Sequence, residues 1–235
     1  MKIDSFDSYP DIIAGISERK DGNMVWYNTL PVDPEIKAHR DAYFSRLDLD
    51  PGRVVAGGIA HGTRVTKVGQ AEAGKYILDS DALMTDVPGL ILSITSADCL
   101  PVYFFDPLKR CVAMVHAGWK GLVAGVLEDV VKEMEREYAS ATQNIMVAIG
   151  PHIKVCHYEI GSEIAGKFAP GSIVERDGRL FADLTKEAER RLKGLGIDNV
   201  DISSPCTFCE ATTLYSARYD KTSPVNGMVA YIGLE

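Results

Sequence analysis

Leu90-Ile91-Leu92-Ser93-Ile94-Thr95, then Ala97-Asp98-Cys99, then Pro101-Val102-Tyr103-Phe104-Phe105, then Cys111-Val112-Ala113-Met114-Val115-His116 form three apolar runs interrupted by one short polar step. The runs are too uniformly apolar for strands with one wet face. They read as parts of a sheet covered on both sides. Asp98 and Cys99 close the first run and His116 closes the third, so a thiol and an imidazole sit at strand termini, where α/β folds display functional groups.

Outward from this centre, Val54–Ile59, Ile145–Ile149, Val200–Ser203 and Met228–Ile232 read as further strands, with a strand pair near Ile173–Phe181. Leu122, Val123, Val126, Leu127, Val130 and Met134 recur at helical spacing, with Glu128, Asp129, Lys132, Glu133 and Arg136 between them. This predicts one amphipathic helix from Gly121 to Tyr138. Helices are also expected from Pro34 to Leu47 and from Asp183 to Leu195, the latter stopped by Gly194 and Gly196. The fold class is therefore mixed α/β, in one domain spanning residues 1–235.

The chain has 235 residues, 46% hydrophobic and 25% charged, enough for one large core. Its net charge of −8 argues against a general nucleic-acid surface, because phosphate-backbone binding needs concentrated Lys and Arg. The start of the chain lacks a basic stretch followed by an apolar one, and no run approaches the length of a spanning helix. A cytoplasmic protein without membrane association, acting on a small molecule or a protein partner, is expected. Five cysteines, an odd number, fit reduced thiols better than a disulfide framework.

His61-Gly62 follows the Val54–Ile59 run and adds a second imidazole. Two neutral imidazoles and one thiolate make a suitable zinc set, leaving a fourth position open, as catalytic sites do. The separations between His61, Cys99 and His116 are unlike the short paired spacings of zinc fingers. A nucleophile-and-base pair of Cys99 and His116 fits the same residues, so both readings stand. Gly118 to Gly121 opens a helix whose free N–H groups, with Lys120, suit an anion.

A competing pattern lies downstream. His157-Tyr158-Glu159 and Pro205-Cys206-Thr207-Phe208-Cys209 satisfy the written signature of zinc-dependent base deaminases, with His157, Cys206 and Cys209 as ligands and Glu159 as proton shuttle. The intervening strand pair, helix and strand separate the two halves more than that fold normally does, which weakens the match.

The ordered series His61-Gly62, Asp81-Ala-Leu-Met-Thr85, Ala97-Asp-Cys-Leu-Pro101, His116-Ala-Gly-Trp-Lys-Gly121, Gly150-Pro151-His-Ile153 and Tyr158-Glu-Ile-Gly161 resembles the bacterial purine nucleoside phosphorylase family formerly called laccase-domain or polyphenol oxidase proteins. The resemblance implies an α-β-β-α layered sandwich, mixed in its sheets and similar to the fold of certain cysteine-dependent deamidase toxins. It implies zinc held by His61, Cys99 and His116. It also implies phosphorolysis of adenosine, inosine and methylthioadenosine, with adenosine deamination as a further activity, so that purine nucleosides and phosphate are the expected partners. Some relatives are described as copper-dependent phenol oxidases and others as peptidoglycan editing factors, so copper and those activities are alternatives, as is a metal-free cysteine hydrolase. The Cys206-Thr207 step falls where the family carries Cys-Thr, which assigns the deaminase-like pattern to ordinary family sequence.

On this reading Asp98, Cys99 and His116 are the catalytic set, with Asp98 the nearest carboxylate for proton transfer to or from a zinc-activated water. Asp81, Lys120 and Arg218 are the expected substrate-binding residues, although Asp81 also suits a turn or helix cap. Lys120, Arg218 and the amides of Gly118–Gly121 are expected to hold phosphate. The chain departs from the family at Ser216-Ala-Arg218-Tyr219-Asp220 and Asn226-Gly227-Met228, where Ser-Tyr-Arg-Arg-Asp and Gly-Arg are common; one arginine is kept and two are replaced. His152 is expected on the surface.

Overall fold

The computed structural model of the protein describes residues 1–26 and 28–235. Its strands are β1 (Ile12–Ile16), β2 (Val54–Gly57), β3 (Val65–Lys67), β4 (Tyr76–Ile77), β5 (Ala82–Thr85), β6 (Ile91–Ser96), β7 (Leu100–Asp106), β8 (Cys111–Ala117), β9 (Met146–Ile149), β10 (Glu159–Ile160), β11 (Ile173–Arg176), β12 (Arg179–Ala182), β13 (Val200–Ile202) and β14 (Met228–Leu234). The helices are α1 (Pro34–Arg46), α2 (Trp119–Ala124), α3 (Val126–Tyr138), α4 (Ser162–Ala165), α5 (Leu184–Gly194) and α6 (Ala217–Asp220).

Two mixed sheets stack. One runs β1-β14-β6-β2-β4 and the other β13-β9-β7-β8-β5-β3, while β10, β12 and β11 make a small separate ribbon. The layering follows from side-chain alternation, since successive residues of a strand point to opposite faces. In β7, Tyr103 and Phe105 enter the core between the sheets, where Val112 and Met114 of β8 and Leu92 and Ile94 of β6 meet them. Val102 and Phe104 face the other way, onto Val130 and Met134 of α3 and Leu192 of α5. Beyond the first sheet, Ile91, Val229 and Tyr231 pack under Tyr43 and Phe44 of α1. The order is thus helix, sheet, sheet, helix, and the central strands are apolar throughout because both their faces are covered. Each fully buried Val, Leu or Phe in these layers contributes about 1.5–3 kcal/mol of transfer free energy.

Local signals set the ends of the elements. Asp33 caps α1 by accepting from the Glu35 and Ile36 amides, with Pro34 at the first position, and Asp183 caps α5 by accepting from the Lys186 amide. The expected single helix from Gly121 to Tyr138 is instead two, α2 and α3. Gly125 adopts a left-handed conformation, φ 103°, and breaks the helix between them. Apolar periodicity ran through the break because Leu122 and Val126 both reach the same core. Such a turn costs glycine little, and its Cβ-bearing alternatives more. Among the described residues no helix is long and apolar enough to cross a membrane.

Candidate metal centre and cavity

Strand register brings the central residues together. β7 and β8 form an antiparallel hairpin that pairs Leu100 with Ala117 and Pro101 with His116, so Cys99, one residue before β7, lies at the same end as His116. β5 pairs antiparallel with β8 on its other side, Ala82 opposite Val115, which sets Asp81 beside His116 at that end. The Asp81 carbonyl also accepts from the His116 amide at 2.8 Å.

Asp81 is fully buried and organises the cluster. Its carboxylate accepts from the His61 and Gly62 amides, both at 2.8 Å, which pins a turn where His61 has φ 58°. It also faces His116 Nδ1 at 3.3 Å. An imidazole that donates from Nδ1 to a carboxylate has Nε2 free as a ligand, the usual outer-sphere support of a metal-binding histidine. Burial opposes the charge of Asp81, yet His116 and the Gly62 and His61 amides hold it below the ordinary carboxylate value.

The ligand atoms of His61, Cys99 and His116 lie within 4.8 Å of one another. The two imidazole rings meet edge to face with centroids 5.0 Å apart. Burial opposes ionisation of Cys99, but His116 and His61 outweigh it and draw the thiol down to about 6. Burial likewise lowers His116, and Cys99 together with Asp81 more than reverses this, lifting it to about 9. The pair is a thiolate beside an imidazolium, a charge arrangement that a divalent cation can take over. A Cβ on Gly118 would stand 3.0 Å from Cys99 Sγ, 3.2 Å from His61 and 3.3 Å from His116, so a glycine keeps the space beside the donors clear. Gly121 is equally constrained, since its Cβ would lie 2.6 Å from the Gly62 carbonyl oxygen. These residues fit a metal bound by two imidazoles and a thiolate with one position open.

The cluster opens into a cavity of about 870 Å³, whose wall includes Trp26, Ile59, Tyr158, Arg218, Lys221 and Pro224. That size suits a nucleoside-sized ligand with room for a second small group. Asp98 holds φ 92°, a left-handed backbone imposed at the site, and both oxygens of its carboxylate are hydrogen-bonded: Oδ1 accepts from Thr207 Oγ1 at 2.6 Å and Oδ2 from the Arg218 amide at 2.7 Å. Arg218 also donates to the Glu159 carbonyl at 2.8 Å and lies 5.3 Å over the Tyr158 ring.

The structure separates the expected site residues. His61, Cys99, His116, Asp98 and Arg218 all border the cavity. Asp81 lies behind His116 rather than in the wall. Lys120 is exposed on α2, its ammonium 5.8 Å from the Trp119 ring, outside the lining. α2 is also only six residues long, which makes it a weaker anion holder than the continuous helix expected from Gly121 to Tyr138. His152 is not on the surface but fully buried, where Nδ1 donates to the Gly150 carbonyl and Nε2 accepts from Thr185, both at 2.8 Å. Burial and the Lys154 ammonium push it down to about 3, so it is a neutral core group. Trp26 carried no sequence signal for the site; Tyr158 did, through the Tyr158-Glu-Ile-Gly161 step, and Thr207 did, through the Cys206-Thr207 step, though without a role.

The downstream pattern also changes status. His157, Cys206 and Cys209 converge, joined by Cys156, into a second group of potential metal ligands. Glu159, the shuttle of that pattern, instead faces Arg179 at 3.5 Å on the surface.

Among relatives, a purine nucleoside phosphorylase of Clostridium acetobutylicum is 34% identical over 158 residues, covering 65% of this chain and 66% of its own length. The purine nucleoside phosphorylase YfiH of Escherichia coli is 34% identical over 170 residues, covering 69% and 67%. The crystal structure of the Bacillus licheniformis hypothetical protein YfiH superposes with a TM-score of 0.88 at 26% identity, over all of this chain and 96% of that one. A family model described as multi-copper polyphenol oxidoreductase laccase matches residues 31–235, and the chain belongs to that family.

Proposed function

We propose that the protein is a purine nucleoside phosphorylase that uses zinc bound by His61, Cys99 and His116. The observation that carries this reading is the convergence of three metal-ligand atoms at the floor of a nucleoside-sized cavity, in a chain whose relatives bear that name. Zinc held by three protein ligands supplies a Lewis acid with one position left for substrate. The remaining work falls to the chain. Trp26 and Tyr158 offer aromatic faces to the purine and exclude water around it. Arg218, with Lys221 beside it, offers cationic donors to phosphate, the nucleophile that displaces the base from the ribose. Asp81 sets the His116 tautomer. Asp98 acts as a positioning residue rather than a proton shuttle, because both its oxygens already accept hydrogen bonds from Thr207 and Arg218.

Deamination of adenosine at the same site is part of the proposal, as is turnover of inosine and methylthioadenosine. Copper is the alternative metal, since imidazole and thiolate also suit it. A second reading has its own support: the Cys99 thiolate beside protonated His116 is the arrangement of a metal-free cysteine nucleophile.

Incubation of the purified protein with adenosine, with and without inorganic phosphate, separates these readings. Adenine and ribose 1-phosphate that form only with phosphate, and cease after chelation, are expected; inosine reports deamination. Turnover that survives complete metal removal favours the cysteine nucleophile, and absence of any purine-base release overturns the phosphorylase reading.

A further inference from the structure

Two turns outside both large sheets meet beside the small ribbon. One, between β9 and β10, carries Cys156 and His157 and is closed by the His157 and Tyr158 amides donating to the Lys154 carbonyl at 3.1 Å. The other follows β13 and carries Cys206-Thr207-Phe208-Cys209, closed by the Glu210 amide donating to the Cys206 carbonyl at 2.9 Å. The Cys156 and Cys206 sulfurs are 3.6 Å apart, Cys156 and Cys209 3.8 Å, and His157 Nδ1 is 3.2 Å from Cys156 and 3.4 Å from Cys209. All four donor atoms lie within 4.8 Å of one another.

Those edges match one particular polyhedron. A tetrahedron with metal–sulfur bonds of about 2.3 Å and a metal–nitrogen bond of about 2.0–2.1 Å has sulfur–sulfur edges of about 3.8 Å and sulfur–nitrogen edges of about 3.6 Å. The sulfurs stand too far apart for a disulfide, whose bond is about 2.05 Å. Three sulfurs and one nitrogen complete four-coordination with no position left for substrate, and the Cys-x-x-Cys spacing is that of closed structural sites. The surroundings of Cys206 suit a thiolate. The Lys154 amide donates to Cys206 Sγ at 3.4 Å, and the Phe208 and Cys209 amides also donate to that sulfur, so the second turn folds its N–H groups around a ligand. The His157 ring is fixed by stacking on Phe208, centroids 4.1 Å apart and 14° from parallel. Arg176 donates to the Val155 and Cys156 carbonyls, and Arg179, Arg218 and Lys221 border the adjacent cavity, an electropositive setting for a centre that carries net negative charge with three thiolates.

We propose that Cys156, His157, Cys206 and Cys209 form a second, closed zinc site that clamps these two turns together. Its place in the chain gives it a purpose. Tyr158, next to His157, walls the main cavity, and Thr207, next to Cys206, holds Asp98 beside Cys99. The clamp therefore fixes one wall of the cavity without touching its contents.

The test is zinc content per chain, measured by elemental analysis on protein purified under reducing conditions without added metal. Wild type is expected to hold two zinc ions, Cys209→Ala one, Cys99→Ala one, and Cys99→Ala/Cys209→Ala none. Cys209 is exposed, so its replacement leaves the sheets intact, and a circular dichroism spectrum checks this. A second measurement does not depend on that variant. Cobalt(II) bound to Cys99→Ala protein should show strong sulfur-to-metal charge-transfer bands and intense tetrahedral visible bands, because three thiolates remain at this site. Equal zinc in wild type and Cys209→Ala overturns the proposal, as does cobalt-loaded Cys99→Ala without those bands. A Cys156–Cys206 or Cys156–Cys209 disulfide found by mass spectrometry in the reduced preparation, or copper in place of zinc at the four residues, overturns it too. None of these overturning outcomes bears on the site of His61, Cys99 and His116, whose own ion is read from the difference between wild type and Cys99→Ala.

Discussion

The two ligand clusters differ in every respect that separates chemistry from scaffolding. His61, Cys99 and His116 are three, rise from the ends of β7 and β8 and from a turn pinned by buried Asp81, and open onto a large cavity. Cys156, His157, Cys206 and Cys209 are four, sit on two turns, and have two exposed cysteines among them. A rigid, incomplete set positions an open coordination site, whereas a complete set on loops joins what the hydrophobic layers leave apart. Ligand number and mounting distinguish the clusters; ligand chemistry alone does not.

The largest expected effect comes from removing one ligand of each. Cys99→Ala should lower kcat/KM for nucleoside phosphorolysis by about 10³-fold or more, since it removes a metal ligand at the reacting centre. Cys209→Ala should leave kcat largely intact and act on thermal stability and KM through the loosened wall. Equal losses of kcat from the two substitutions would collapse the distinction. Gly118→Ala comes next. It preserves every ligand but places a methyl about 3 Å from Cys99 Sγ, and a displacement near 1 Å should cost about 10²-fold in kcat with the second metal retained. Unchanged kinetics would show that the space beside Cys99 is not used.

Asp81→Asn should reduce metal affinity or kcat/KM by about 10–100-fold, because an amide cannot both receive the His61 and Gly62 N–H groups and accept from His116. Competition with a chromogenic chelator measures it, and wild-type affinity would sink the orienting role. The smallest effect concerns the metal-free protein. The Cys99 thiol, at about 6 against an ordinary 9.0, contributes stability that is complete above pH 9 and lost as pH falls through about 6. His116, at about 9 against 6.5, contributes stability complete below pH 6.5 and lost as pH rises through about 9. Between those limits the two slopes cancel. The melting temperature of chelated wild type should thus stay level from about pH 6.5 to 9, and Cys99→Ala, which lacks the thiol's opposing contribution, should show a slope across that range. A monotonic profile would argue against the ion pair.

Much of this arrangement was legible before the fold. Uniformly apolar Val102–Phe105 and Val112–Val115 announced strands covered on both faces, and His61, Cys99 and His116 announced a metal set or a catalytic pair. The same uniformity hid the layering. With apolar residues on both faces, nothing in the sequence told Tyr103 and Phe105 from Val102 and Phe104, which serve different cores. Short strands such as β3 and β5 escaped notice because three or four residues carry no period. His152 looked like a surface group because Thr185, the partner of its Nε2, becomes its neighbour only through folding.

What the sequence determined by itself is the chemistry present and where it can be mounted: thiol and imidazoles at strand ends, Cys-x-x-Cys on a turn, glycines where a side chain would not fit. Tertiary structure alone decided which groups act together. Asp81 became the support of His61 and His116, Thr207 and Arg218 took both oxygens of Asp98, and Cys156 joined residues fifty positions further along. The physical reason is range: backbone propensity and apolar period act over a few residues, whereas hydrogen bonds, ion pairs and metal coordination need atoms within about 2–4 Å, a proximity that only the packed sheets and their connecting turns provide.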